Sequence, residues 1–143
     1  MIRRSLILDV LIDLIVRTAF VFSVFLLFAG HNAPGGGFIA GLVFGIALIL
    51  KYVAGGIDEL RAVLTVNPET LLGVGLSLAL LTGVAGRIWG ESFLESTIVD
   101  AELPILGVVK VTSALPFDIG VFIVVVGLTA ALVTSLGEKA SDR

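Results

Sequence analysis

The sequence predicts an all-α membrane protein with four transmembrane helices, and three observations carry that prediction. Apolar residues make up 57% of the 143 residues and charged residues only 15%, against about 25% charged in a soluble domain whose surface must face water. Mean hydropathy is +1.14. The apolar residues also fall into four long runs, each near the roughly 20 residues that cross a hydrocarbon core of about 30 Å. Lipid is the solvent such a chain is built for.

The first run lies near 6–29 and is rich in phenylalanine: Phe20, Phe22, Phe25 and Phe28. Preceded by Arg3 and Arg4, it could be mistaken for a secretory signal. It is longer than the roughly 7–15 residues of a signal core, and Asp9, Asp13 and Arg17 interrupt it, so a retained helix is expected. The second lies near 37–56 and ends at Gly55-Gly56. The third, near 68–88, opens with Asn67-Pro68-Glu69: a capping residue, a proline in the first turn, and an acid against the positive end of the helix dipole. The fourth, near 117–136, opens in a similar way with Pro116-Phe117-Asp118 and ends at Gly137. Between the last two runs, Val108, Val109, Val111 and Thr112 have strand composition, so a short external strand or hairpin is expected there. Residues 1–143 read as one integral membrane domain.

Glycines and other small residues suggest how the helices meet. Gly37, Gly41 and Gly45 recur every four residues, as do Gly75, Ala79 and Gly83, and Gly127, Ala131 and Ser135. Each series makes a smooth stripe against which another backbone can pack closely. Orientation follows from the bases near helix ends. An even helix count gathers Arg3, Arg4, Lys51, Arg61, Lys139 and Arg143 on one side and leaves Arg87 and Lys110 on the other. Both termini are therefore expected in the cytoplasm, with the acidic 89–116 connection outside.

Charges inside the spans are the candidate functional residues. Asp9, Asp13 and Arg17 share a face of the first helix, and Asp13 precedes Arg17 in the favourable order for an ion pair one turn apart. Arg17 lies near mid-membrane, where a charge needs compensation, so Asp13 and Arg17 are expected to pair, either as a structural clasp or as part of an ion path. Lys51 could snorkel to the cytoplasmic interface or lie buried and exchange a proton. Asp118 most simply completes the N-terminus of the fourth helix; collecting cations at the outer mouth is the other reading.

Several function classes are excluded. The chain has no cysteine and one histidine, which leaves no thiol chemistry and little basis for a metal site. A net charge of −3 gives no footprint for nucleic acid. Gly73-Val-Gly75 lacks the third glycine of a dinucleotide fingerprint and lies inside a membrane helix. No nucleophile–base pair points to an enzyme, and no cofactor is expected.

The first two helices are joined by Gly30-His31-Asn32-Ala33-Pro34-Gly35-Gly36-Gly37. Proline fixes one torsion and the glycines admit conformations closed to other residues, so this is a tight turn into the second helix. Its amides could also cradle an anion or a partner's carboxylate at the helix start, though no Gly-Lys-Ser/Thr follows to make a nucleotide loop. His31 titrates near neutral pH and could relay protons, or simply hold the turn by hydrogen bonding. This run resembles the signature of the B subunits of Mrp-type multisubunit sodium/proton antiporters, the MnhB-like family. Leu103-Pro104-Ile105-Leu106-Gly107 and Leu115-Pro116-Phe117-Asp118-Ile119-Gly120-Val121 fit the same family.

The resemblance implies a small subunit of a prokaryotic plasma-membrane complex that exchanges sodium for protons. Its partners would be other membrane subunits, including the large subunits that carry the proton channels. It supplies no catalytic set to carry over. Two further readings stand beside it: the equivalent subunit in the antiporter-like module of a membrane-bound hydrogenase, and a four-helix scaffold that transports nothing.

Overall fold

A computed structural model describes residues 6–30, 36–88, 98–103, 107–112 and 114–141. Four helices dominate: α1 (Leu6–Ala29), α2 (Gly36–Val63), α3 (Pro68–Ile88) and α4 (Ala114–Ser141). Each contains a stretch long and apolar enough to cross a bilayer. At 1.5 Å per residue even α3 extends about 30 Å. Between α3 and α4 run two antiparallel strands, β1 (Ile98–Leu103) and β2 (Gly107–Thr112), paired from Ile98↔Thr112 to Leu103↔Gly107.

α1 and α3 begin and end where the sequence suggests. The carbonyl of Asn67 accepts bonds from the amides of Thr70 and Leu71 at 3.0 and 3.1 Å, which starts α3 at the expected place. α2 and α4 run longer than expected. In α2 the helix breaks at Gly56 (φ 79°, ψ −168°) and then resumes to Val63. That backbone is open only to glycine, so the helix kinks where an end was expected, and the stretch long and apolar enough to span a membrane runs from Gly36 to Val63. α4 starts at Ala114, because Pro116 sits in the first turn, where its missing N–H costs nothing. Nor does Gly137 stop α4: a Cβ there would stand 3.0 Å from the Tyr52 ring, so this glycine makes room for α2.

The helices stand in the spatial order α1–α2–α4–α3. Phe44, Leu48 and Leu60 of α2 bury against Val126 and Val133 of α4, while Ile12 and Val16 of α1 bury against Ala47 on the other side of α2. Backbones approach most closely along the α2–α4 and α3–α4 seams. A Cβ on Gly41 would stand 2.7 Å from that of Val125, and one on Gly75 would stand 2.8 Å from the Gly120 carbonyl oxygen. Gly37 lies directly on the backbone carbonyl of Asp118. Of the stripes, Gly37, Gly41 and Gly45 face α4, as does Gly75. Gly127 faces α3, but Ser135 is exposed.

Outside these seams much of the surface is hydrocarbon: Leu14, Val21, Leu80, Leu81, Leu132 and Leu136 are each more than half exposed. Hydroxyls within the spans bond back to their own helices, Thr18 to the Leu14 carbonyl at 2.8 Å and Thr82 to that of Leu78 at 2.9 Å. That satisfies polar groups where water is scarce.

Candidate functional site

Four charged residues, Asp9, Asp13, Lys51 and Glu59, line a cleft of ≈ 210 Å³ where α1 and α2 pack near the chain's N-terminal end. Asp9 and Asp13 enter it from consecutive turns of α1, Lys51 from α2, and Glu59 from the stretch beyond Gly56. On a straight helix Glu59 would lie about 12 Å along the axis from Lys51. The break at Gly56 redirects the chain between them, and the Glu59 Oε2 lies 3.1 Å from the Lys51 Nζ.

Lys51 also donates a hydrogen bond to Asp13 Oδ1. Its side chain is only 12% exposed, against 49% for Asp13 and 33% for Glu59. The ammonium is thus spent on carboxylates within the fold rather than standing out into solvent, which differs from snorkelling. An ammonium this withdrawn from water is tolerable only when paired and hydrogen-bonded. Among the described residues that line the cleft, three carboxylates accompany one ammonium, an excess of acid that favours cations.

The Asp13–Arg17 pairing expected from their spacing is the looser of two. Arg17 Nη2 is 3.8 Å from Asp13 Oδ2 and the Arg17 side chain is 81% exposed. Asp13 faces α2, where Lys51 reaches it head-on, while Arg17 lies out along the flank of α1 beside Val21 and Phe25. Helical spacing brings the two side chains near each other; packing decides which base the carboxylate binds. A charge left alone at the bilayer centre costs at least about 2.5–3.5 kcal/mol.

Of the loop between α1 and α2, Gly30, Gly36 and Gly37 are described. Gly30 and Gly36 touch backbone to backbone, and a Cβ on Gly36 would stand 3.2 Å from the Leu27 carbonyl oxygen and 3.5 Å from Asp118 Oδ2. These glycines let three helix ends converge. His31, Asn32, Pro34 and Gly35 lie outside the described residues. Asp118 is not in the first turn of α4, which begins at Ala114 and holds no acid in that turn. Its carboxylate instead faces the start of α2, where amides without a partner in the helix and the helix dipole favour negative charge.

Sequence reasoning missed Glu59 entirely and did not see Asp9 as part of a cleft. The Gly55-Gly56 pair ahead of Asp58-Glu59 was a signal that the chain turns there. Gly120, which meets Gly75 and Ala79 of α3, was overlooked as a packing glycine. Among the described residues no group of three His, Cys, Asp or Glu is disposed to hold a metal ion.

Residues 7–131 match the family described as "Domain related to MnhB subunit of Na+/H+ antiporter". The chain is 41% identical over 135 residues to the Na(+)/H(+) antiporter B subunit of Bacillus subtilis (strain 168), covering 89% of this chain and 94% of that one. It is 38% identical over 116 residues to a probable K(+)/H(+) antiporter A/B subunit of Rhizobium meliloti (strain 1021), covering 81% of this chain but 12% of that much longer one. Among solved structures it is similar to a chain of the Mrp complex from Dietzia sp. DQ12-45-1b, with TM-score 0.76 and 30% identity over 92% of this chain and 14% of that chain.

Proposed function

Because the chain belongs to the MnhB family of Na+/H+ antiporter subunits, we propose that its Asp13–Lys51–Glu59 cleft forms the cytoplasmic end of an ion path through the antiporter complex. The protein is a multi-pass membrane subunit of a multisubunit cation/proton antiporter; the role of the cleft within that assembly is the proposal. Transport, not catalysis of a chemical reaction, is its task.

One observation supports this reading above the rest: the Lys51 ammonium stands between two carboxylates in a cleft open to water-sized species. A lysine shared by two acids can lean toward either one. The carboxylate it leaves can take a proton or a cation, and antiport needs a group that holds the two ions alternately. The buried Ile12, Val16 and Ala47 cluster lies just beyond the cleft, toward the middle of the spans. A path starting in the cleft therefore continues along a neighbouring subunit. In the Rhizobium relative the matching stretch is one part of a chain named for both A and B, which favours a large A-type neighbour.

The distribution of bases given above favours cytoplasmic termini and an external β1–β2 hairpin in one membrane domain. The chain has no cysteine, so Asp100→Cys gives a label site without background. Modification by an impermeant reagent from outside the cell is expected; modification only in inverted vesicles would reverse the orientation.

The cleft is tested in the whole complex, expressed in cells without other antiporters and assayed as sodium-dependent proton flux in everted vesicles. Glu59→Gln should leave assembly intact and cut flux at least tenfold. The paired change Asp13→Asn with Lys51→Met removes both charges together and should likewise assemble without transporting. Wild-type flux from either assembled complex would end the proposal.

A further inference from the structure

A continuous stripe of exposed side chains runs along one face of α1. Val10, Leu14, Arg17, Val21, Phe25 and Phe28 recur at steps of three and four residues, and each is more than half exposed. That spacing marks a single helix face, of the kind that packs against another helix. Where Arg17, Thr18, Val21, Phe22 and Phe25 line it, the face is a shallow apolar groove. The Phe22 and Phe25 rings stack there with centroids 6.3 Å apart.

Arg17 makes this face unlike the other exposed ones. It lies halfway along α1, about 16 Å from Leu6 and about 18 Å from Ala29, too far from either end to be a residue that snorkels from a helix terminus. Among the described residues its one carboxylate contact is Asp13 at 3.8 Å, and Asp13 is already bonded by Lys51. Thr18 spends its hydroxyl on the Leu14 carbonyl, so the guanidinium is the one polar group of the groove with donors to spare. The exposed face of α3, by contrast, presents Val74, Leu80, Leu81 and Val84, which lipid covers without cost. A lipid headgroup cannot cover Arg17 at mid-bilayer, but a carboxylate on a neighbouring helix can, and an arginine fork grips a carboxylate with two parallel bonds.

We propose that this face of α1 is a docking surface for a transmembrane helix of a neighbouring subunit, and that this helix carries an Asp or Glu at the depth of Arg17. Only the protein's place among other membrane subunits is required; transport through the cleft is not.

The test uses the intact complex in its membrane. With Arg17 unchanged, Val21→p-benzoylphenylalanine is photoactivated and the product sequenced by mass spectrometry. The expected product joins α1 to one span of a different subunit, with an Asp or Glu within a turn of the attachment point. Arg17→Glu should then lower recovery of the assembled complex at least tenfold, and changing the partner's acid to arginine should restore it. Arg17→Lys, which keeps charge but loses the fork, should fall between. Adducts to lipid alone, to a second copy of this chain or to a span without a carboxylate would overturn the proposal, as would normal assembly of Arg17→Glu.

Discussion

α2 is held by different chemistry on its two sides. Toward α4 it presents Gly37, Gly41 and Gly45, and the backbones close until a single Cβ would collide. Toward α1 it presents Lys51, which binds Asp13 across a cleft that water reaches. In lipid, where apolar burial gives helices no net attraction, close packing and polar contacts are the available means of association. One side of α2 uses the first and the other side the second. Along Gly37, Gly41 and Gly45 the glycine seam depends on shape, and its Arg61–Glu138 ion pair lies at the exposed end. The charged seam holds groups that can bind and release ions.

The contrast is sharpest under substitution. Gly37→Ala should have the largest effect, because the added carbon meets the Asp118 backbone carbonyl and no rotamer change relieves it. A glycine-to-alanine change inside a helix is ordinarily worth up to about 1 kcal/mol in its favour. Here the loss should exceed the roughly 1–3 kcal/mol of common overpacking, read as failed assembly or a lowered melting temperature of the solubilised complex. Gly73→Ala, with open space around it, is the control and should be neutral or mildly stabilising. Equal behaviour of the two glycines would dissolve the distinction between the seams.

Single changes in the charged seam should cost less. Breaking a fully buried ion pair costs about 3–5 kcal/mol, but Asp13 is half exposed and Glu59 remains beside Lys51. Asp13→Asn and Lys51→Met should therefore each destabilise by less than that. The double variant should recover most of the loss in a thermal-stability cycle; additive losses would show that the two do not pair.

The smallest effect should come from Arg61→Ala, which removes an exposed ion pair with Glu138 at 2.8 Å. Such pairs contribute about 0.2–1 kcal/mol. The melting temperature should barely move, and a large drop would mean that the ends of α2 and α4 are fastened there.

The spans were legible in the sequence because hydropathy and length decide them almost alone. α1 and α3 ran to their expected bounds, since Asn67, Pro68 and Glu69 mark a start in any context. The ends of α2 and α4 were misjudged where glycine was read as punctuation. Gly137 serves packing against Tyr52, and the helix resumes after Gly56. Within one helix, periodicity correctly set Asp13 beside Arg17. It could not show that Lys51, 38 residues away, would claim the same carboxylate, because that depends on how α1 and α2 are rotated against each other. Glu59 was hidden for the same reason. The signature residues His31, Asn32, Pro34 and Gly35 remain outside what the structure describes.

Gly56 has no heavy atom within 4 Å of the place a Cβ would take, so its requirement concerns handedness rather than size. Inverting both torsions, φ 79° and ψ −168°, gives an extended backbone close to polyproline II, which any L residue adopts with ease. The observed conformation is thus a comfortable one for a mirror-image amino acid. A chain assembled by chemical ligation with D-alanine at 56 should fold as the natural one does and gain a little stability, since its unfolded state has fewer conformations to lose. L-alanine at the same place, identical in volume, would be forced to straighten or distort the joint that carries Glu59 back toward Lys51.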